Sequence, residues 1–128
     1  MVTGGQGATK SVKTSVELLS SNGTRLCSLP NLPEKKWQHS QTGVLACGGG
    51  SRGSGSAYKS CFKFADSRWK KSHTMGTSRY GHTGWASPQG VLLIGGTDRT
   101  DTQSQTSTEL LTDNGGATPS FALKNKRM

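Results

Sequence analysis

Four short apolar runs punctuate the chain: VELL (16–19), VLAC (44–47), VLLI (91–94) and TELL (108–111). Gly, Ser, Thr and Asn fill the spaces between them, and none approaches the ~18–20 residues of a membrane span. Runs of this length between turn residues predict β-strands, and so an all-β chain with many tight turns. Asn22-Gly23 and Asn114-Gly115 supply the positive-φ positions that tight hairpins need, and Pro88-Gln89-Gly90 turns the chain before the third run.

The pattern recurs. Glycine pairs stand at Gly4-Gly5, Gly48-Gly49 and Gly95-Gly96, spaced by 44 and 47 residues, a period that marks a repeat architecture. A second marker follows each pair: SVELLSSNG (15–23), SCFKFADSRW (60–69) and STELLTDNGG (107–116). Within it Glu17, Phe62 and Glu109 hold equivalent places. A third marker precedes the next pair, as Lys36-Trp37-Gln38-His39-Ser40 and Arg79-Tyr80-Gly81-His82-Thr83. Each repeat therefore predicts four strands. Strand a carries the His (37–41, 80–86), and strand b runs into the glycine pair (2–4, 44–48, 91–95). Strand c holds the second marker, and strand d follows a turn (24–30, 68–75, 119–124). The repeats divide the chain at 1–36, 37–79 and 80–128.

A glycine at the end of a strand lets the backbone take φ > 0 and lets a neighbouring strand approach closely. Four-stranded sheets packed about an axis need that crowding, and four strands in about 45 residues make one blade of a β-propeller. The strands present read b-c-d, then a-b-c-d twice. That is nearly three blades, where closed propellers have about 4–8. The expected fold is all-β, of propeller blades with four antiparallel strands, incomplete as it stands. Self-association or further blades would complete it.

The glycine pairs, Trp69 about twenty residues after its pair, and Arg79 with His82 before the next one resemble the kelch-repeat family, the propeller type of galactose-oxidase central domains. The phrases CSLPNLP, ACGGG, SCFKF and ELLTDNGG look like a divergent animal kelch group. The likeness covers nearly the whole chain. The first repeat lacks a Trp equivalent to Trp69, and the third lacks both that Trp and a following Arg and His. The resemblance implies a non-catalytic segment that binds a protein. Its enzymatic branch implies copper chemistry, whose catalytic ligands would have to lie outside this chain.

The residues themselves point away from catalysis. His39 and His82 are repeat-equivalent, so they point into equivalent places in different blades, where metal ligands must converge on one point; neither a metal nor a cofactor is expected. Glu17 and Glu109 stand on strand c with no paired carboxylate, and are expected to be buried on neighbouring backbone. Trp69 is expected in packing between blades. GSRGSGS (50–56) has the glycines of a phosphate loop without its Lys-Ser/Thr ending or helix.

Three cysteines leave one over. Cys47 on strand b and Cys61 on strand c lie on adjacent antiparallel strands; a disulfide and two buried thiols both fit, and Cys27 remains. Asn22-Gly23-Thr24 is an N-glycosylation sequon in a turn. The sequon and the cysteine pair favour an extracellular setting, although MVTGGQG is no signal peptide.

The formal net charge of +9 raises an acidic polymer or nucleic acid as partner. In an a-b-c-d blade the d-to-a and b-to-c connections emerge on one face. These longer loops carry Lys10, Lys13, Lys35, Lys36, Arg52, Arg79 and Arg99 against Glu34, Asp98 and Asp101, with Trp37 and Tyr80 beside them. Lys35, Lys36, Trp37, Arg52, Arg79, Tyr80 and Arg99 are thus the candidate binding residues. Only 6% of residues are aromatic, too few for basic stripes interleaved with stacking platforms. A protein partner is the leading expectation, and no membrane is expected.

Overall fold

A computed structural model describes residues 1–9, 11–51, 57–98 and 105–127. The described residues form eleven strands and no helix. The strands are β1 (Val2–Thr3), β2 (Val16–Leu19), β3 (Arg25–Leu29), β4 (Ser40–Thr42), β5 (Leu45–Cys47), β6 (Ser60–Ala65), β7 (Arg68–Thr74), β8 (Thr83–Ser87), β9 (Gly90–Ile94), β10 (Gln105–Leu111) and β11 (Ala117–Arg127). They make three blade-like sheets, in the orders β1-β2-β3, β4-β5-β6-β7 and β8-β9-β10-β11. Every pairing is antiparallel between consecutive strands. No helix of the described residues is long and apolar enough to cross a membrane.

The strand boundaries differ most from the sequence reading at the two strands a and at the last strand. Strands a begin at Ser40 and Thr83, not at 37 and 80, because Gln38 and Gly81 take left-handed backbone with φ of 51° and 65°. Trp37 and Tyr80 make only isolated bridges, to Gly50 and Thr97. The last strand runs from Ala117 to Arg127, beyond the 119–124 expected.

Sheet packing follows from side-chain alternation. Phe62, Ala46 and Trp69 of the middle sheet pack with Val16 of the first and with Leu32. Leu45, Cys47 and Cys61 face the other way, with Met75, onto Leu93 and Leu111 of the third sheet. The middle sheet is covered on both sides, which is why all three residues of β5 are buried. Trp69 also donates its indole N–H to the Pro30 carbonyl at 2.9 Å, tying the middle sheet to the connector from the first.

Cys47 lies directly opposite Cys61 in the β5–β6 register, and the two form a disulfide with a Cα–Cα distance of 4.1 Å. The neighbouring pair Gly48 and Ser60 is hydrogen-bonded. Cys47 and Cys61 therefore occupy the closer, non-hydrogen-bonded type of antiparallel pair. Cys27 is a free, exposed thiol on β3, and Asn22 is exposed in the β2–β3 turn.

The disulfide closes a loop with a sequence separation of 14. Loops of that size stabilise by about 3 kcal/mol in the chain-entropy description. Urea unfolding with and without reductant should show a loss of that order; coincident curves would show that the two thiols pack as well as the bridge.

Candidate interaction surface

The sheets meet through two connectors, 30–39 between β3 and β4 and 75–82 between β7 and β8. Each carries one cation inward. Lys36 is fully buried and donates from Nζ to the carbonyls of Gly48 (2.8 Å) and Ser60 (3.3 Å) and to Ser60 Oγ (3.3 Å). Arg79, also fully buried, donates to the carbonyls of Gly95 (2.7 Å) and Ser107 (2.9 Å) and to Ser107 Oγ (2.7 Å). Gly48 and Gly95 are repeat equivalents, as are Ser60 and Ser107. The two cations thus do one job, capping the ends of strands b and c of the following sheet. Their own backbone carbonyls accept from the preceding sheet, Lys36 from Gly5 N–H (2.9 Å) and Arg79 from Gly49 N–H (2.7 Å).

A buried charge needs a counter-charge. For Arg79 it is Glu109 on β10, 3.1 Å from Nη2 and almost fully buried. The same carboxylate accepts the backbone N–H groups of Gly76 (2.7 Å) and Thr77 (2.9 Å), so the connector is pinned from both sides. For Lys36 the anion is Glu34 of its own connector, at 3.3 Å and partly exposed. Phe62 stands where Glu109 stands, and the rings of Phe62 and Tyr58 lie 5.3 Å from Nζ. Burial pushes the Lys36 ammonium below its ordinary range, and Glu34 offsets part of that.

The histidines bridge the same joints. His39 Nε2 lies 2.7 Å from Thr3 Oγ1, and that hydroxyl donates onward to Gln41 Oε1 (2.8 Å), so His39 is the donor. His82 Nε2 lies 2.8 Å from Ser40 Oγ, and its buried Nδ1 has no partner. An unpaired acceptor is tolerated better than a buried orphan N–H, which places the proton of neutral His82 on Nε2. Burial, then the Lys36 charge, lowers the pKa of His39 to about 4. Burial, then Arg79, His39 and Lys36, lowers that of His82 to about 3. The glycine pairs make room for these rings. A Cβ on Gly48, whose φ is 63°, would stand 2.5 Å from the Arg79 carbonyl and 2.7 Å from His82 Cε1.

This geometry corrects the list of surface binding residues. Lys36 and Arg79 are structural caps, withdrawn from solvent because strand ends b and c have carbonyls to satisfy. Tyr80 is buried and stacks on Trp37, with centroids 6.1 Å apart; Trp37 keeps partial exposure. Lys35 is exposed. Lys10, Arg52, Arg99 and Asp101 lie outside the described residues. Glu109 is buried on backbone as expected of both strand-c glutamates, but Glu17 is not: its side chain is 41% exposed and only 3.8 Å from Arg25, because no buried cation reaches it.

Sequence reasoning missed a second basic surface. Lys63, Arg68 and Lys70 are exposed on one face of the β6–β7 hairpin, Lys71, opposite Phe62, is exposed on the other, and Lys59 is exposed just before β6. Lys63 lies directly opposite Lys70, a like-charge pairing that opposes sheet formation; Asp66 holds Lys70 at 2.8 Å. The cluster of Arg68, Lys70 and Lys71 was the available signal. Nearby, a cleft of about 270 Å³ opens between the second and third sheets, lined by Val44, Lys63, His73, Val91 and Asp113 among others. Among the described residues no three His, Cys, Asp or Glu side chains are grouped to hold a metal ion.

No protein-family model matches the chain, and no curated protein matches it.

The two latches predict unequal variants. Breaking a buried pair by removing one partner costs about 3–5 kcal/mol, so Arg79→Met should lose stability in that range by chemical denaturation. Lys36→Met should lose less, since Glu34 can turn to water. Equal losses would contradict the assignment of counter-charges.

The histidines set a pH dependence. Both have folded pKa values below the unfolded 6.5, so the unfolded chain binds more protons and stability falls as pH drops below about 6.5. Above that pH their contribution is complete. Unfolding midpoints measured from pH 7.5 to 5 should decline, and His82→Gln should flatten the slope. A flat profile in the parent protein would show that the rings protonate without cost.

Proposed function

We propose that the chain is a non-catalytic binding module of kelch-type blades that engages a protein through the longer connectors at one end of its sheets. The supporting observation is how the reactive side chains are used. Lys36, Arg79, Glu109, His39 and His82 all make contacts between sheets or between a sheet and its connector. They hold a scaffold rather than face a substrate. The connectors 30–39 and 75–82 and the described residues 48–51 and 57–59 lie at the anchored end, while residues 43–44, 66–67 and 88–89 turn tightly at the other. Loops on a rigid scaffold are where binding residues concentrate. Lys35, Lys59 and the open part of Trp37 present charge and aromatic surface there. The disulfide and the exposed sequon at Asn22 suit an oxidising compartment.

The exposed cations of β6 and β7 support a second reading, an acidic polymer bound on the outer strands of the middle sheet. A photo-crosslinking side chain placed at Lys35 and, separately, at Lys71 separates the two. The protein-binding reading predicts discrete protein adducts from position 35 that persist in 0.5 M salt. Adducts from position 71 alone, abolished by that salt, would replace it with the polyanion reading, since exposed charge contacts are screened.

A further inference from the structure

The cleft between the middle and third sheets lies at the end of the molecule opposite the cation-bearing connectors. Two contacts between the sheets bound it. On one side β8 packs against β4, so closely that a Cβ added at Gly84 would run into Thr42 Oγ1. On the other side His73 of β7 donates from Nε2 to the Thr112 carbonyl at 2.7 Å, with Nδ1 3.0 Å from Ser72 Oγ, so both ring nitrogens are engaged. Between these two clamps the sheets stay apart and leave about 270 Å³. The floor is aliphatic. Leu45, Val91 and Leu111 come from the facing sides of β5, β9 and β10, and the exposed Val44 and Ala86 stand beside them. Two charges of opposite sign occupy opposite walls, Lys63 on β6 and Asp113 in the β10–β11 turn. Both are exposed, and neither side chain has a hydrogen bond or ion pair among the described residues. Lys70, directly opposite Lys63 in the ladder, already holds Asp66 at 2.8 Å. Of this like-charge pair, only Lys63 lacks an anion.

We infer that this cleft binds a small zwitterion with an aliphatic body, the chemistry of a free aliphatic amino acid. The carboxylate meets Lys63, the ammonium meets Asp113, and the aliphatic chain lies on Leu45, Val91 and Leu111. Three observations select this occupant. An apolar lining with few polar groups is the makeup of a small-molecule site, and the cleft stands just below the roughly 300 Å³ at which such sites begin, so the occupant is small. An anionic group on Lys63 offsets the like-charge pairing with Lys70. A ligand that was only an anion would face Asp113, and one that was only a cation would face Lys63; a molecule bearing both charges complements both walls. The inference goes beyond the protein-binding reading, because it lies at the other end of the sheets and stands or falls independently of Lys35.

The test titrates the isotope-labelled protein with leucine at low salt, followed by amide chemical shifts. Saturable shifts are expected at Val44, Lys63, Ala86, Val91 and Asp113, at about millimolar ligand, the strength open to so few atoms. Isocaproate, which is leucine without its ammonium, and isoamylamine, which is leucine without its carboxylate, should each bind about fivefold more weakly, by the loss of one exposed charge contact. Glycine has both charges and no aliphatic body, and should not saturate. Lys63→Gln should bring leucine down to the affinity of isoamylamine, and Asp113→Asn to that of isocaproate. Both side chains are exposed, so the variants should keep the parent's melting temperature; if either does not, the three analogues carry the comparison on the unaltered protein. Shifts absent at these residues at about 0.1 M leucine, glycine binding as leucine does, or either half-molecule binding as tightly as leucine would overturn the proposal.

Discussion

The middle and third sheets each end their second and third strands with carbonyls that point at a neighbour, and a buried cation answers them. Arg79 satisfies the third sheet in this way and Lys36 the middle one. The rest of the architecture follows from placing a charge there. The connector must run inward to deliver it, the glycine pair must carry no side chains where the connector's carbonyl docks, and a carboxylate must stand within reach. The neighbouring His82 stays neutral because the joint is dry and, after that, because the charges of Arg79 and Lys36 stand near it.

The two joints solve the counter-charge problem differently. The third sheet supplies Glu109 from its own strand, and that carboxylate also gathers two connector amides. The middle sheet has Phe62 at that position, so its anion comes from Glu34 in the connector, and two rings face the ammonium. Substituting an aromatic residue for a carboxylate and moving the charge one element away preserves the joint. It also explains why the equivalence of Phe62 with the two glutamates looks like a break in the sequence pattern when it is a relocation.

Much of the fold was legible because the glycine pairs and the strand-c phrases recur in register, and four short strands per repeat leave few antiparallel arrangements. The strand order within each sheet and the adjacency of Cys47 and Cys61 followed from that. The site was less legible. Lys36 and Arg79 read as surface charge, since sequence shows that a residue is basic but not that two strand ends lack partners. The contrast between Glu17 and Glu109 was invisible for a related reason: one-dimensional equivalence says nothing of whether a cation arrives from outside the repeat. Gln38 and Gly81 shortened the first strand of two sheets by a backbone turn that no hydrophobic pattern records. The basic surface on β6 and β7 was scattered across a hairpin, and pairing was needed to bring Lys63 opposite Lys70.

The cation-bearing connectors bind adjacent sheets into one cooperative body. Native-state hydrogen exchange of the Gly5 and Gly49 amides tests it most directly, because these protons cross between sheets to the carbonyls of Lys36 and Arg79. Both should exchange only through the same global opening that frees the buried amide of Leu93. Exchange of the glycine amides at loop rates, with Leu93 still protected, would show that the sheets are held by their apolar cores and that the connectors merely lie across them.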